Sequence, residues 1–308
     1  MKKMKYVFGP VPSRRLGRSL GISPIPKKTC NYSCIYCQLG RTDKMTDQRN
    51  MFYPVEDIVK EFEEYKNDQD KFDVVSIVGE GEPTLYAGLG ELIRGLKEKT
   101  DKPIAVITNS ALLSDAQVRK ELSYADIVLP SMDSYNEEKY KKIDRPHGRI
   151  HFCDTYEGLI QFSKEFRGQI YMEIMLMDGI NDAEADLKEF REALKPVRYD
   201  KLYINTPVRP PAEAYARISS QENISRAVEI LGGISIDALA SGTFFSEIED
   251  DYDAILSIIG RHPMNQHEIA GFLDSRGNKD PEAVFERLKQ DEKVRKTEYK
   301  GYITFRLA

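Results

Sequence analysis

The chain has 308 residues, of which 31% are charged, and its net charge at pH 7 is −5. This length allows one large domain and a small second one. No apolar run approaches the roughly 18 residues that suggest a membrane span, and the acidic balance disfavours a dedicated nucleic-acid-binding protein. With no secretion signal recognised before the first cysteine, we expect a cytoplasmic protein without a membrane partner.

Short runs rich in valine and isoleucine alternate with helical patterns through most of the chain. Strands are predicted at residues 20–25, 74–79, 104–109, 127–132, 170–177 and 202–206. Helices are predicted between them, for example at residues 55–65, 89–99 and 183–194. This alternation is typical of an α/β fold with a parallel sheet. In barrels of this class the carboxyl ends of the strands carry the active site, so polar residues at those ends are functional candidates.

The segment before the first predicted strand, residues 8–17, contains several prolines and glycines and is predicted to be irregular. It carries the adjacent residues Arg14 and Arg15. Paired guanidinium groups can hold a phosphate or a carboxylate, although a solvated turn is the simpler interpretation of a charge pair. Both arginines are therefore candidate substrate-binding residues.

Three cysteines follow the first predicted strand in a C-x3-C-x2-C pattern. They are Cys30, Cys34 and Cys37, and the remaining cysteine, Cys153, is far away in sequence. Three thiolates can hold three irons of a four-iron cluster and leave the fourth iron open to another ligand. A structural zinc site is the alternative, but no histidine between residues 1 and 146 completes it locally. The pattern favours an iron–sulfur cluster at the mouth of the barrel.

A glycine-rich turn follows the second predicted strand. It consists of Gly79, Glu80, Gly81, Glu82 and Pro83. Glycine lets a ligand approach the backbone closely, and a carboxylate such as Glu82 can neutralise an ammonium group. A plain strand-to-helix turn with proline at the helix start is the alternative interpretation.

Short polar side chains end the third and fourth predicted strands. Thr108 and Asn109 follow the third, and Ser131 and Asp133 follow the fourth. Taken singly, each is more typical of a turn or a helix cap. At the same edge as the cysteines, however, they suit hydroxyl and carboxylate groups of a bound cofactor.

Further polar candidates lie in the second half of the barrel. Glu173 interrupts an apolar strand; facing inward it would need a partner and would be a candidate catalytic or base-recognition residue, whereas an outward position would make it a surface charge. Arg145 and Arg209 precede prolines, and Asn205 ends the sixth strand. Prolines stiffen the backbone, which suits an anion site but equally a plain rigid loop. These residues are candidates for binding substrate.

The end of the chain has a different pattern. Helices are predicted at residues 254–259, from the capping pair Asn265 and Glu268 to residue 273, and from Asp280 to about residue 290. Residues 294–299 and 302–307 flank a Lys-Gly turn as a hairpin. Three helices and a two-stranded wing predict a winged-helix domain at residues 251–308, after a first domain at residues 1–250.

The cysteine trio, with Tyr36 just before its last member, resembles the cluster motif of radical S-adenosylmethionine (SAM) enzymes. The turn at residues 79–83 resembles the GGEP element of that family, with Glu80 in place of its second glycine. The resemblance implies a partial (β/α)6 barrel, a [4Fe-4S] cluster, and SAM chelated to the open iron and cleaved to a 5′-deoxyadenosyl radical. It also implies that SAM is contacted by Tyr36, Gly79, Glu80, Gly81, Glu82, Pro83, Thr108, Asn109, Ser131 and Asp133.

Residues 6–211 resemble the branch of this superfamily that is related to wyosine-type tRNA base synthases, and within it the bacterial queuine lyases. This resemblance implies a small-molecule nucleotide substrate, queuosine 5′-phosphate, from which abstraction of a ribose hydrogen releases queuine. Arg14, Arg15 or Arg209 would hold the phosphate and Glu173 would read the base. An electron donor such as flavodoxin or ferredoxin is implied as a partner.

Two alternatives stay open at this point. A radical SAM enzyme could instead modify a tRNA base or a protein side chain, with the C-terminal domain as its docking element. The chain could also be an iron–sulfur regulator that reads DNA through a winged helix. The near balance of acidic and basic residues in the C-terminal segment argues against both nucleic-acid readings, because such binding needs a basic surface.

Overall fold

The structure, a computed structural model, describes residues 4–65, 71–236, 244–246, 248–299 and 301–307. Its strands are β1 (Val7–Ser13), β2 (Gly17–Ile22), β3 (Thr29–Cys30), β4 (Lys44–Met45), β5 (Val74–Ile77), β6 (Ile104–Thr108), β7 (Ile127–Pro130), β8 (Gln169–Met175), β9 (Lys201–Asn205), β10 (Ile234–Ser235), β11 (Met264–Asn265), β12 (Val294–Tyr299) and β13 (Tyr302–Leu307). Its helices are α1 (Val55–Tyr65), α2 (Leu89–Lys97), α3 (Ala116–Leu122), α4 (Glu137–Ile143), α5 (Phe152–Glu165), α6 (Glu184–Leu194), α7 (Gln221–Leu231), α8 (Asp251–Ile259), α9 (Gln266–Ser275) and α10 (Pro281–Gln290). None of the helices in these ranges is both long and apolar enough to cross a membrane.

One large sheet organises most of the chain, in the strand order β1-β2-β5-β6-β7-β8-β9-β10. Every neighbouring pair from β2 onwards is parallel. Successive residues of a strand point to opposite faces, so Val75 and Val106 pack in the large core with the helices, while Val74 and Ala105 pack in a smaller cluster on the other face. Helices therefore cover one face, and the opposite face encloses the interior of a partial barrel.

The strands predicted from the sequence are confirmed as β2 and β5 to β9, and the predicted α/β fold with a partial (β/α)6 arrangement is confirmed with them. The first of these strands, β2, begins and ends earlier in the chain than its valine and isoleucine pattern indicated. β10 adds a short parallel strand beyond β9.

The prediction that residues 8–17 are irregular was wrong. Most of this segment is β1, which pairs antiparallel with β2 and has a register shift between Phe8 and Val11. Pro10 and Pro12 lie within it. Proline lacks the N–H that a central strand needs, but an edge strand leaves one row of backbone groups unpaired and therefore tolerates it. β1 is such an edge strand.

Residues 251–299 and 301–307, here called the C-terminal unit, contain α8, α9 and α10 and an antiparallel sheet in the order β11-β13-β12. The predicted helix starts are confirmed: Asn265 and Glu268 form a capping box, and Asp280 caps α10 ahead of Pro281. The predicted hairpin is present as β12 and β13. The unit has an apolar core of its own, against which Val11 of β1 also packs.

Candidate active site

The cysteine loop leaves β2 and is fixed by backbone hydrogen bonds. The Cys37 N–H donates to the Cys34 carbonyl at 3.1 Å, and the Gly40 N–H donates to the Cys37 carbonyl at 3.0 Å. Ile35 donates to the carbonyl of Ile143 at the end of α4, at 2.9 Å. The loop is thereby held between the barrel and α4 with its thiols enclosed.

The three thiols fit the cluster that the sequence motif predicts. All three are free, and burial raises the pKa of Cys30, Cys34 and Cys37. Neighbouring thiols raise the pKa of Cys30 and Cys34 further. Three such groups stay thiolates only next to a strong positive charge, because a coordinating metal deprotonates a thiol outright.

No three His, Cys, Asp or Glu side chains in the described part of the chain lie close enough together to ligate one metal ion. A zinc site would require that arrangement. A four-iron cluster does not, because it spreads its thiolates over different irons. The cysteine trio is therefore compatible with the four-iron cluster that the sequence motif predicts.

The glycine-rich turn at residues 79–83 packs directly on the cysteine loop. A Cβ placed on Gly81 would lie 1.8 Å from the Thr29 carbonyl oxygen, so no other residue fits there without movement. The Glu82 N–H donates to that same oxygen at 3.2 Å, and the Lys28 N–H donates to the Glu80 carbonyl at 2.5 Å. The glycine is therefore required by contact between two loops of the chain.

Glu82 links the ends of β5 and β6. Its buried carboxylate accepts hydrogen bonds from the Thr84 N–H and hydroxyl at 3.0 and 2.6 Å, from the Thr108 hydroxyl at 2.7 Å and from the Asn109 N–H at 2.8 Å. Burial raises the pKa of Glu82, and these donors counter that effect. The Glu82 carboxylate is therefore held by four donors of the protein. Asn109 also approaches the cysteines, with its Nδ2 at 3.7 Å from Cys30 Sγ.

Asp133 and Tyr36 form a second buried connection to the cysteine loop. Asp133 accepts hydrogen bonds from the Tyr36 hydroxyl and from the Met175 N–H. Burial raises the pKa of Asp133 to about 7. Ser131 follows β7 directly and pairs with Glu173 of β8 in an isolated parallel β-bridge. Two strand ends thus contact the cysteine loop, through Asn109 after β6 and Asp133 after β7.

A cavity of about 240 Å³ lies between the barrel, the β1–β2 hairpin and the C-terminal unit. The barrel contributes the strand residues Ser19, Ser76 and Ile107, and the cysteine loop contributes Gln38 and Leu39. Gly79 and Glu80 of the glycine-rich turn line it as well. The cavity thus adjoins both the cysteine loop and the glycine-rich turn.

Predicted substrate residues from distant parts of the chain meet at this cavity. Arg14, Arg15, Asn205 and Arg209 line it. Glu173 faces inward, as one of the two interpretations of the sequence required, and accepts a hydrogen bond from Arg15 at 2.5 Å. Arg145 does not join them.

Arg145 instead lies beside the cysteine loop. Its side chain donates to Glu213 and to the Tyr215 hydroxyl, each at 2.6 Å. Arg41 also donates to Glu213, at 2.8 Å, and the two guanidinium groups lower the pKa of Glu213 to about 2. Arg145 is therefore engaged in a hydrogen-bonded cluster with Glu213 and Tyr215 and does not line the cavity, contrary to its prediction as a substrate-binding residue.

Sequence reasoning missed the contribution of the C-terminal unit. Arg261, His262 and Glu268 all line the cavity. Arg261 lies 3.4 Å from the Glu80 carboxylate, and Arg209 lies 3.1 Å from that of Glu268. An arginine followed closely by a proline, the pattern that drew attention to Arg145 and Arg209, also occurs at Arg261 and would have been the signal.

Comparison with known proteins identifies the family of this chain. A sequence model of the Radical SAM superfamily matches residues 25–191. A UPF0026 protein of Methanocaldococcus jannaschii is 37% identical over 98% of this chain and 96% of its own length. A UPF0026 protein of Helicobacter pylori is 30% identical over 92% of both chains.

A crystal structure of a radical SAM methyltransferase from Sphaerobacter thermophilus has a similar fold, with a TM-score of 0.53, 17% identity, and coverage of 71% of this chain and 68% of that one. At this identity the likeness concerns the fold alone. The family match covers more than half of the chain and includes all three clustered cysteines. The chain therefore belongs to the radical SAM superfamily of enzymes, which use a [4Fe-4S] cluster and SAM and take electrons from a reductant, and within it to the UPF0026 proteins.

Proposed function

We propose that this enzyme is a lyase that releases queuine from queuosine 5′-phosphate. The observation that carries the proposal is the arginine-lined cavity of about 240 Å³ beside the cysteine loop. Its size lies just under the range of about 300–1,000 Å³ that is usual for small-molecule sites. Four arginines and two glutamates are among its lining residues, which suits a substrate with negative charge.

The covering of the cavity favours a small substrate over a macromolecule. Arg306 of β13 donates to the Gln38 carbonyl at 3.1 Å, and the Tyr299 hydroxyl donates to the Pro207 carbonyl at 2.6 Å. The Phe245 N–H donates to the Pro10 carbonyl at 3.2 Å. A tRNA or a folded protein would need this side open, whereas a nucleotide can be enclosed by it.

Cys30, Cys34 and Cys37 would hold the cluster, and the strand ends from residue 79 to Asp133 would hold SAM. When bound, these cofactors supply a 5′-deoxyadenosyl radical that is able to remove a hydrogen atom from a ribose. Queuine is a 7-deazapurine and lacks the N7 whose protonation helps ordinary purines to leave. Acid catalysis of glycosidic cleavage therefore loses much of its driving force, and a radical route at the sugar becomes useful.

The chain's own residues would bind and orient this substrate. Arg14, Arg15 and Arg209 would bind the phosphate, since guanidinium groups form paired hydrogen bonds with phosphate oxygens. Glu173 lies on the inner face of β8 and would contact the base or its cationic side chain. Because Arg15 is its present partner, the substrate would have to share or replace that ion pair.

The remaining parts of the proposal concern the protein as a whole. Residues 1–250 and 251–308 form two domains, and the second is a winged helix that serves as a lid rather than as a reader of nucleic acid. The enzyme works in the cytoplasm with flavodoxin or ferredoxin as its electron donor.

The test is an anaerobic assay of the iron–sulfur-reconstituted protein with dithionite and SAM, with and without queuosine 5′-phosphate. Mass spectrometry follows 5′-deoxyadenosine and free queuine. SAM-dependent release of queuine is the expected result. 5′-Deoxyadenosine without queuine would refute the lyase and redirect the search to tRNA or peptide substrates.

A matched pair of cysteine variants controls the assay. Cys37→Ala removes a member of the trio and should abolish both products. Cys153→Ala removes the exposed cysteine outside it and should leave both products at the wild-type level.

A further inference from the structure

His262 has a buried hydrogen-bonding atom without a partner at the wall of the cavity. It follows α8, and its ring centroid lies 5.2 Å from that of Phe244. Its Nδ1 is buried and makes no hydrogen bond within the described residues, although the side chain lines the cavity. Buried polar atoms are nearly always paired because an unmade hydrogen bond costs free energy. Such an atom at a cavity wall points to a ligand.

The positive charges around His262 favour an anionic ligand. Burial lowers the pKa of His262 well below its usual range, and Arg209, Arg14 and Arg15 lower it further. The imidazole is therefore neutral in the middle of three guanidinium groups. A neutral imidazole can donate one hydrogen bond to an anion without adding to the positive charge of the site.

Arg261, the preceding residue, lines the same cavity and supplies a positive charge beside His262. Its Nε is buried and forms an ion pair with the Glu80 carboxylate at 3.4 Å, without the geometry of a hydrogen bond. An arginine Nε–H can only donate. Two adjacent residues of the C-terminal unit therefore face one cavity, His262 with a buried Nδ1 that makes no hydrogen bond and Arg261 with a guanidinium held only by its ion pair with Glu80. An anion such as a phosphate can accept hydrogen bonds from both.

We infer that the C-terminal unit forms part of the substrate's anion site, in which His262 hydrogen-bonds an oxygen of the substrate phosphate and Arg261 lies beside it. This inference rests on the proposed function, since it assigns the phosphate of that substrate. It adds a specificity role for the C-terminal unit: the enzyme selects phosphorylated over unphosphorylated nucleoside partly through a residue outside the barrel.

The experiment compares KM for queuosine 5′-phosphate and for queuosine in the reconstituted holoenzyme and its variants. His262→Ala should raise KM for the phosphorylated substrate about 10- to 100-fold, the usual effect of losing a hydrogen bond to a charged group. KM for the unphosphorylated nucleoside should change by less than about threefold. His262→Asn, whose amide N–H can replace Nδ1–H, should recover part of the loss. His267→Ala is the matched control, because His267 is exposed on the same unit, and it should behave as wild type.

The outcomes separate the inference from the function on which it rests. If wild type releases queuine and His262→Ala keeps the wild-type KM for both substrates, the inference is overturned and the lyase stands. Equal increases in KM for both substrates, with no recovery in His262→Asn, also overturn it, because they indicate a structural role. If wild type releases no queuine, the proposed function fails and this assignment fails with it. A melting temperature measured for each variant excludes misfolding.

Discussion

Substituting Gly81 by alanine tests whether the glycine-rich turn and the cysteine loop form one rigid body. The added methyl group would lie 1.8 Å from the Thr29 carbonyl oxygen, 2.7 Å from the Thr29 carbonyl carbon and 3.1 Å from Ile25 Cδ1. Two of these atoms are backbone, so a rotamer change cannot relieve the overlap. The two loops would have to separate, and the cysteine trio would shift with one of them.

The cost follows from the bonds that the separation would stretch. The Glu82 N–H to Thr29 and the Lys28 N–H to Glu80 hydrogen bonds join these loops, and each contributes about 0.5–1.5 kcal/mol. Overpacking of a tight site adds about 1–3 kcal/mol. Gly81→Ala should therefore destabilise the protein by about 2–6 kcal/mol, the sum of two such bonds and the steric cost.

Anaerobic urea unfolding of the apoprotein measures this destabilisation, and the iron content after reconstitution measures the effect on the cluster loop. We expect a lower midpoint and less iron per chain. Gly148→Ala is the control, because Gly148 is exposed with no atom within 4 Å of its added Cβ, and it should change stability by no more than about 0.5 kcal/mol. Wild-type stability and iron content in Gly81→Ala would refute the argument that these loops are in fixed contact.

Three further predictions concern ionised side chains. Glu82→Gln should lower stability by about 1–3 kcal/mol and reduce iron binding, because an amide nitrogen would face N–H donors; unchanged urea unfolding would contradict this. Arg209→Ala should raise KM for queuosine 5′-phosphate, whereas Glu268→Gln should lower it by releasing Arg209 from its ion pair; an unchanged KM in Arg209→Ala would remove that residue from the phosphate site. Arg41 and Arg145 lower the pKa of Glu213 from 4.5 to about 2, so its stabilising effect is complete above the unfolded value and is lost as pH falls between these two values. In urea unfolding of the apoprotein, Glu213→Gln should lose less unfolding free energy than wild type as the pH falls through this window. An equal loss in both proteins would exclude Glu213 as the source of the pH dependence.

The barrel could be predicted because its signals are local. The inner strands are largely buried on both faces and therefore consist mainly of apolar residues, as Ile127–Pro130 does. The capping box at Asn265 and Glu268 is likewise contained in four residues. The β1 strand was missed because prolines at positions 10 and 12 are read as breakers, and only its place at the edge of the sheet makes them acceptable.

Single residues of the candidate site could be named from the sequence, but most contacts between distant residues could not. The cysteine trio and the glycine-rich turn are continuous motifs. The pairing of Arg15 with Glu173 joins residues 158 positions apart, and no local pattern indicates it. The arginine–proline pattern of the Arg-His-Pro sequence draws attention to Arg261 but not to His262. Only the three-dimensional structure brings His262 to a cavity built mainly by the barrel.

Three ion pairs surround this cavity, and each joins different elements. Arg15 of the hairpin pairs with Glu173 of β8, Arg209 after β9 with Glu268 of α9, and Arg261 after α8 with Glu80 after β5. An anionic substrate has to compete with these carboxylates for the arginines. A phosphate dianion can do so because it offers several charged oxygens at once, whereas a neutral nucleoside leaves every pair intact. Two of the pairs connect the barrel to the C-terminal unit. If the proposed function holds, binding of such an anion would change the contacts that hold the unit in place, and recognition of the phosphate would be coupled to the position of the unit.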